Sequence, residues 1–325
     1  MSINYLDCSA VAESVRRSCR EEAEQLKRQG IRPKLGIVRV GEKGPDLSYE
    51  KGAIRTMTEA GIETEVFAFP EDISQEDYIR EFKKINADPD IHGILALRPL
   101  EHIDENEAIG KNLDTVKDVD ASTAGNIGKL LLGDREAMLP CTALAIMAIL
   151  DYYGEDIRRI RRKNNPYYYP AEGEDPLQGL EVCIVNNSHV IGIPLMVMLT
   201  SRFATVSVVH HLSDEQDKKA MASRADVLIA ATPFRNTVTQ SMIKPGAMVI
   251  DAAVIREKLV DEEGNPIISE KTGRQSVGIF GCCTKRVAEK AGCITPVPGV
   301  GSVTSAMLAK NLLQACRMQL QGQQD

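Results

Sequence analysis

The stretch from Gly179 to Leu199 constrains the fold of this chain more than any other. Residues 180–185 form a short apolar run, which is typical of a strand buried on both faces. Residues 186–189 (Asn-Asn-Ser-His) favour a turn, and residues 192–199 predict the helix that follows. A strand that turns directly into a helix leaves N–H groups at the helix start, where a phosphate can bind. Because the fingerprint GxGxxG is absent, the stretch predicts a βα unit and leaves nucleotide binding and ordinary core packing as open alternatives.

The chain before this stretch alternates in the same way between short apolar runs and amphipathic helical patterns. A β-α-β-α-β order with short joints predicts a parallel sheet with right-handed crossovers. Ser48 is the predicted cap of the second helix, which leaves residues 42–47 as a loop. Strands are predicted over 34–40, 63–69 and 92–97, and helices over 8–30, 49–60, 74–86 and 143–153.

The chain after this stretch continues the alternation and predicts a second parallel sheet. Residues 154–178 are rich in charge and proline and contain three successive tyrosines, Tyr167 to Tyr169, so we predict an exposed insertion there. Further strands are predicted over 205–210, 227–231 and 247–252, and further helices over 215–224, 284–291 and 304–320.

Composition narrows the class of protein. A length of 325 residues suffices for two domains with separate cores, and a net charge of −7 argues against a nucleic-acid-binding surface. No apolar run reaches about 18 residues and the N-terminus lacks an apolar signal segment, so we expect no membrane partner and a cytoplasmic location. The eight cysteines lack metal-finger spacing, with Cys282-Cys283 the only unusual pair, and there are five histidines. We therefore predict reduced thiols and no metal site.

Seven short motifs follow one another between about residues 35 and 315. They are Ser48-Tyr49, Gly93-Ile94-Leu95 with Pro99-Leu100, Lys117-Asp118-Val119-Asp120, Pro140-Cys141-Thr142, Ser188 with Gly192 and Pro194, Ile243-Lys244-Pro245-Gly246, and Ile294-Thr295-Pro296-Val297-Pro298-Gly299. In this order they resemble the tetrahydrofolate dehydrogenase/cyclohydrolase family, which oxidises 5,10-methylenetetrahydrofolate. Each motif alone is short, but the combination is specific.

The resemblance implies a two-domain α/β fold. An N-terminal α/β/α catalytic domain would comprise residues 1–148 completed by 296–325, because the C-terminal helix returns to it. A Rossmann-like NAD(P)-binding domain would comprise residues 149–295. The resemblance also implies a homodimer that binds a tetrahydrofolate derivative in a cleft between the domains.

The family's site residues map onto positions in this sequence. By resemblance, Tyr49 and Asp120 are catalytic, with Tyr49 stacked on the benzoyl ring of folate and Asp120 bound to the pterin. Simpler roles stay open, since Tyr49 could pack on the sheet and Asp120 could form a turn. The implied substrate-binding residues are Tyr49, Leu97, Asp120, Pro298, Gly299, Val300 and Gly301. The implied cofactor-binding residues are Asn186, Asn187, Ser188, Ile191, Gly192, His211, Thr232, Pro233 and Ala253.

Two positions depart from the family in ways that affect acid–base chemistry. The family's Tyr-x-x-x-Lys motif has Ala53 in the place of lysine, and Lys51 and Arg55 project from other faces of the helix. Leu97 stands in the place of the family's glutamine. A slip of one residue would put Arg98 there instead, but the flanking glycine and proline argue against it.

Hydrolysis of the methenyl product needs proton transfer, whereas hydride transfer chiefly needs orientation. We therefore predict a methylenetetrahydrofolate dehydrogenase with weak or lost cyclohydrolase activity, similar to the monofunctional NAD-dependent branch. The alternatives are a bifunctional dehydrogenase/cyclohydrolase and a non-catalytic paralogue that binds folate or another ligand.

The cofactor loops favour NAD, with NADP as the alternative. Asn187 replaces an arginine of the family that can face a 2′-phosphate, and Leu212 replaces another cation after the next strand. A phosphate dianion without a guanidinium nearby is poorly compensated. No acidic residue ends that strand to bind the ribose diol, and a protonated His211 could bind an anion.

Overall fold

The computed structural model describes residues 3–164, 168, 173–261, 263–270 and 272–322. The chain divides into two compact units, called here the first unit (residues 10–145 and 303–325) and the second unit (residues 1–9 and 146–302). The predicted extents of the two domains, 1–148 with 296–325 and 149–295, stay a prediction.

The helices follow the amphipathic stretches of the sequence. Ser74 caps one of them by accepting a hydrogen bond from Asp77 N–H, and Thr123 caps another through Asn126 N–H. The helices are α1 (Cys8–Arg28), α2 (Gly44–Glu59), α3 (Gln75–Ala87), α4 (Ala124–Leu131), α5 (Cys141–Tyr152), α6 (Gly154–Asn164), α7 (Gly192–Thr200), α8 (Glu215–Arg224), α9 (Val287–Lys290) and α10 (Val300–Gln321), with a π-helical turn at Asn106–Gly110 and a 3₁₀ turn at Gln240–Met242.

Three parallel strands form the sheet of the first unit. They are β1 (Lys34–Val40), β2 (Glu63–Phe69) and β3 (Gly93–Ala96), in the order β2-β1-β3. Leu35 of the central strand lies opposite Thr64 and Gly93. The central strand is buried over most of its length, as its near-continuous apolar run predicts for a parallel sheet.

Five parallel strands form the sheet of the second unit, and an antiparallel hairpin accompanies them. The strands are β4 (Glu181–Val185), β5 (Thr205–Val209), β6 (Val227–Ala230), β7 (Met248–Asp251), β8 (Ile255–Lys258), β9 (Val277–Phe280) and β10 (Cys293–Ile294). The sheet order is β10-β7-β6-β4-β5, and β8 pairs with β9. The expected two-domain α/β class with parallel sheets is confirmed.

Two local predictions are wrong. Residues 42–47 are not a loop capped by Ser48, because α2 already begins at Gly44 and Pro45 occupies its first turn. Proline suits that position, since its φ angle is preset and its missing N–H would have no helical partner. Residues 154–178 are not wholly an exposed insertion, because α6 occupies 154–164 and buries Ile157. Tyr167 and Tyr169 lie outside the described residues.

No helix in the described part of the chain is both long and apolar enough to cross a membrane. The eight cysteines carry free thiols, and seven of them are buried.

Strand β3 packs closely against its surroundings in the first unit. A Cβ atom at Gly93 would lie 2.3 Å from Val119 Cγ1 and 2.6 Å from Leu312 Cδ1, which is on α10. The N–H of Ile94 donates to the carbonyl oxygen of Lys117 at 2.8 Å, so the chain after residue 116 continues the edge of the sheet. The glycine therefore lets a helix and a loop approach the same strand.

We predict that Gly93→Ala lowers the free energy of unfolding by about 1–3 kcal/mol, because the added methyl group forces packed neighbours apart. Urea unfolding measures the change. Gly128→Ala is the matched control, because a Cβ at this helical position meets no atom within 4 Å. It should stabilise the protein by up to about 1 kcal/mol. Equal effects of the two variants would contradict the packing argument.

Candidate functional site

The loop of residues 117–123, called here the Asp118 loop, is fixed by two buried charged side chains. Lys117 Nζ donates to the carbonyl oxygens of Asn86 (2.8 Å) and Asp88 (2.6 Å). The carboxylate of Asp118 is 1% exposed and accepts five hydrogen bonds. The donors are Ser122 N–H (2.8 Å), Ser122 Oγ (2.9 Å), Thr123 N–H (2.8 Å), Thr123 Oγ1 (2.7 Å) and Asn126 Nδ2 (3.0 Å). Such complete pairing is what allows a carboxylate to be buried.

Asn311 of α10 joins the Asp118 loop to the start of α5. Its Nδ2 donates at 2.8 Å to the carbonyl oxygens of both Val119 and Leu139. These carbonyls adjoin Asp120 and the Pro140-Cys141 motif, so a single amide sets their separation. Sequence patterns did not identify Asn311. The signal that could have done so is a polar side chain on the apolar face of the last helix, four residues after Met307 and four before Ala315.

Asp120 lies beside Cys141 within the first unit. Cys141 N–H donates to Asp120 Oδ1 at 3.4 Å, and Cys141 Sγ lies 3.3 Å from the carbonyl oxygen of Val119. Loss of water around the Asp120 carboxyl raises its pKa, and this outweighs the opposing effects of Cys141 and of the positive charge on Arg98. A carboxyl group with a raised pKa can both accept and donate a proton closer to neutral pH.

Tyr49 belongs to the same cluster. Its side chain is 42% exposed, so part of the ring is available to a ligand. The pKa of its phenol is raised, first by loss of water around the hydroxyl and then by the negative charge of Asp120. The structure thus brings together Tyr49, Asp120, Cys141 and Arg98, called here the Asp120 cluster. Burial also raises the pKa of the Cys141 thiol, so this cysteine is a wall of the site rather than a nucleophile.

The two substituted family positions are both occupied by buried hydrocarbon. Ala53 is 2% exposed on α2 and Leu97 is 6% exposed after β3, where its N–H donates to the carbonyl oxygen of Val38 at 2.9 Å. Lys51 and Arg55 are exposed, as their helical positions predict. Leu97 therefore keeps the predicted register.

Arg98 nevertheless supplies a positive charge to the cluster, although our sequence analysis did not assign it to the site. Its field acts on Asp120, and its Nη1 lies 4.0 Å from Glu105 Oε2. This ion pair is loose, so Glu105 does not hold the guanidinium by a short hydrogen bond. Directly after β3, Leu97 is therefore buried, and the next residue, Arg98, supplies the positive charge.

In the second unit, Asn186 organises the turn between β4 and α7. Its Oδ1 accepts hydrogen bonds from Ser188 N–H (2.8 Å), Ser188 Oγ (2.7 Å) and Gly192 N–H (3.0 Å). Ser188 Oγ in turn accepts from Ile191 N–H at 3.1 Å. A Cβ on Gly192 would lie 2.1 Å from the carbonyl oxygen of Asn186, so the turn is tight enough to require glycine.

The same turn offers hydrogen-bond donors to a ligand. Within the described part of the chain, the backbone N–H groups of Asn187, His189 and Val190 have no hydrogen-bond partner, and all three residues are exposed. Such donors at the start of a helix after a parallel strand fit the phosphates of a dinucleotide. His211 follows β5, Thr232 and Pro233 follow β6, and Ala253 follows β7. These residues therefore share the carboxyl edge of one parallel sheet.

The remaining predicted substrate residues surround the start of α10. The carbonyl oxygen of Gly299 accepts hydrogen bonds from Ser302 N–H (3.1 Å) and Ser302 Oγ (2.8 Å). Pro298 precedes this glycine, while Val300 and Gly301 lie in the first turn of α10, which begins before the predicted helix start at residue 304. Their contact with a substrate stays a prediction.

Comparisons with known proteins cover both units. A family model for the tetrahydrofolate dehydrogenase/cyclohydrolase catalytic domain matches residues 6–120, and one for the NAD(P)-binding domain of the same family matches residues 171–320. The bifunctional protein FolD of Alkaliphilus oremlandii is 39% identical over 317 residues, covering 97% of this chain and 98% of that protein. The bifunctional protein FolD of Moorella thermoacetica is 36% identical over 319 residues, covering 98% of this chain and 100% of that protein.

Solved structures show the same architecture. The bifunctional FolD enzyme of Campylobacter jejuni superposes with a TM-score of 0.81 at 29% identity, covering 98% of this chain and 100% of that one. The FolD enzyme of Trypanosoma brucei, complexed with NADP cofactor and inhibitor, superposes with a TM-score of 0.82 at 27% identity, covering 98% and 99%.

We predict that Asp120→Asn makes the protein more stable at pH 7.5 and leaves its stability within about 0.5 kcal/mol of wild type at pH 3.5. The pKa of Asp120 is raised in the folded state, so the ionised carboxyl destabilises the fold. This cost is present at neutral pH, falls as pH drops through the raised pKa, and is absent below the unfolded value of about 3.9.

Urea unfolding at the two pH values measures both differences. Asp72→Asn, at an exposed position of the first unit, is the control and should change stability by less than about 0.5 kcal/mol at either pH. A destabilised Asp120→Asn protein at pH 7.5 would contradict the assignment of a desolvated carboxyl.

Proposed function

The chain belongs to the tetrahydrofolate dehydrogenase/cyclohydrolase family, and we propose that it oxidises 5,10-methylenetetrahydrofolate with NAD(P) and hydrolyses the methenyl product. The observation that carries this proposal is the Asp120 cluster, which combines an exposed aromatic ring with a carboxyl of raised pKa at the family's motif positions. A ring and a carboxyl suit the benzoyl and pterin parts of a folate. A non-catalytic role is not favoured, because the relatives are named as enzymes.

The oxidation step asks the protein mainly for orientation. The reaction removes a hydride, with its electron pair, from the methylene carbon, and bound NAD(P) would supply the hydride acceptor. The methenyl cation then remains on the folate. Tyr49 would fix the folate through its ring and Asp120 would hold the pterin, while Asn186 and Gly192 shape the turn that would hold the cofactor phosphates. None of these roles requires the missing lysine.

The hydrolysis step needs proton transfer, which we assign to Asp120. Water adds to the methenyl carbon and gives one proton to the carboxylate. The adduct then loses its hydroxyl proton to solvent as the carbon–nitrogen bond breaks, and the departing nitrogen takes the proton from Asp120. The positive charge of Arg98 lowers the pKa of Asp120, so its role is to hold a larger fraction of Asp120 ionised.

A dehydrogenase without effective hydrolysis is the second candidate. Buried hydrocarbon at Ala53 and Leu97 favours it, because the family's lysine and glutamine are absent there. The relatives weigh against it, since proteins with up to 39% identity over nearly the whole chain are named bifunctional. Our expectation of weak or lost cyclohydrolase activity therefore has less support than its bifunctional alternative.

One assay on the purified protein separates these candidates. Methylenetetrahydrofolate is supplied with NAD or with NADP, and the absorbance of the reduced nicotinamide is followed, because the methenyl product would itself be hydrolysed. The proposal predicts that the absorbance increases with NAD or NADP. It also predicts that isolated methenyltetrahydrofolate decays faster with the protein than in buffer alone. An increase in absorbance without faster decay of methenyltetrahydrofolate would favour the second candidate. No increase in absorbance with either cofactor would overturn the dehydrogenase assignment.

For the role of Arg98, we predict that Arg98→Ala lowers the hydrolysis rate severalfold on the acid side of the pH–rate profile, because a smaller fraction of Asp120 is then ionised. The acid limb of the pH–rate profile should move to higher pH, because removal of the positive charge raises the pKa of Asp120 further. Oxidation should change less.

Two further variants make this test specific. Arg98→Lys keeps the positive charge and should restore most of the hydrolysis. Arg55→Ala removes an exposed arginine of α2 and should leave both activities unchanged. An unshifted profile in Arg98→Ala, or an equal loss of both activities, would contradict the assignment.

For the cofactor, we propose NAD in preference to NADP. The turn after β4 presents Asn187, and His211 and Leu212 follow β5, so neither place carries an arginine. Arg202 precedes β5, at the opposite, amino edge of the sheet, and is held by Asp151 (2.6 Å) and Asp175 (2.7 Å). The amide and imidazole can bind a ribose diol but compensate a phosphate dianion poorly.

We predict that Asn187→Arg raises the ratio of kcat/KM with NADP to kcat/KM with NAD by at least about tenfold, because a guanidinium pairs with the 2′-phosphate. Thr200→Arg is the control, with the same added charge at the far end of α7, and should leave the ratio unchanged. A wild-type enzyme that already prefers NADP would refute the proposed preference.

We also propose a homodimer, which rests on the family resemblance. Light scattering on the purified protein should give twice the chain mass of 35.6 kDa, and a mass of one chain would refute it.

A further inference from the structure

Three potential metal ligands converge in the second unit, at the carboxyl end of β7. They are Asp251 at the end of β7 and the adjacent Cys282 and Cys283 after β9, called here the Asp251 cluster. Their ligand atoms all lie within 4.8 Å of one another. Asp251 is 3% exposed, Cys282 is fully buried, and Cys283 is partly exposed.

The carboxylate of Asp251 is held in a fixed orientation by the backbone. Its Oδ2 accepts from Cys283 N–H at 2.9 Å, and its Oδ1 accepts from Cys282 N–H at 3.2 Å and Ala253 N–H at 3.1 Å. A Cβ on Gly281 would lie 2.1 Å from Asp251 Oδ2, so the absence of a side chain allows this approach. Hydrogen bonds of this kind orient ligating carboxylates in metal sites.

We propose that Asp251, Cys282 and Cys283 bind a divalent cation of the zinc class, with water as the fourth ligand. In a tetrahedral site, Zn–S and Zn–O bonds of about 2.3 and 2.1 Å place sulfur and oxygen about 3.6 Å apart. Cys282 Sγ lies 3.3 Å from Asp251 Oδ1, close to that separation. Two thiol groups lose their protons to solvent as two metal–sulfur bonds form, with no change of oxidation state.

The surroundings offer access and charge balance. A cavity of about 410 Å³ reaches Asp251 and Cys283, and Arg235 and Lys285 also line it. Two thiolates and one carboxylate around a divalent ion leave one net negative charge, which these cations offset. Arg235 is itself positioned by Glu257, at 2.7 Å, and by the ring of Phe280.

This site departs from our expectation that the chain has no metal site. That expectation rested on cysteine spacing, and adjacent cysteines do not match a metal-finger pattern. The third ligand lies 31 residues before Cys282 and becomes visible only when β7 and the segment after β9 are brought together. The proposal does not depend on the enzymatic activity.

The test uses the full chain, stripped with a chelator and kept reduced. Titration with Co²⁺ should show one ion per chain and a thiolate-to-cobalt charge-transfer band, and Zn²⁺ should displace it and raise the Tm. Cys283→Ser should weaken Zn²⁺ binding by at least about tenfold while the apoprotein keeps the wild-type circular dichroism spectrum. Asp251→Asn, which retains one acceptor oxygen, should also weaken it.

Cys293→Ser is the matched control, because Cys293 is a buried cysteine of β10 outside the cluster. It should bind Zn²⁺ as the wild type does. The proposal is overturned if no charge-transfer band forms. It is also overturned if Cys283→Ser binds as tightly as wild type, or if Cys293→Ser loses as much affinity as Cys283→Ser.

Discussion

The buried carboxylate of Asp118 is the interaction on which the rest of the site depends. A charged group with 1% exposure is tolerated only because five donors surround it, and all five come from the eight residues that follow it in sequence. The chain after β3 is thereby closed into a compact loop beside the sheet edge. Asn311 then ties this loop to the start of α5, so Asp120 comes within hydrogen-bond distance of the buried Cys141.

Two aspartates in one four-residue motif consequently have opposite roles. Asp118 has its charge compensated by hydrogen bonds and serves the fold, whereas Asp120 loses water without equivalent compensation and has a raised pKa. This difference supports a division between the two proposed reactions. The oxidation needs oriented reactants, to which a rigid element such as the Asp118 loop can contribute. The hydrolysis needs a group that transfers a proton, such as Asp120, whose ionisation Arg98 adjusts.

The sequence predicted most of the strands because their apolar runs are local signals. The predicted β1 and β2 match residue for residue, and α8 does as well. Pro45 misled the assignment of α2, since proline marks both loops and first helical turns. The motifs also singled out Tyr49 and Asp120, which lie near one another in the folded chain, and their roles stay a prediction. Asn311 was not identified, Arg98 entered only as a rejected change of register, and Cys282-Cys283 was noted as unusual without Asp251. Their partners are distant in sequence and meet only in the folded chain.

The central claim is that Asp120 is a desolvated carboxyl with a raised pKa. Titration of its side-chain carboxyl carbon by ¹³C NMR, assigned with Asp120→Asn, tests this most directly. The account predicts a midpoint above the ordinary aspartate value of about 3.9, and a further rise in Arg98→Ala. A midpoint at or below the ordinary value, or no response to the loss of Arg98, would contradict it.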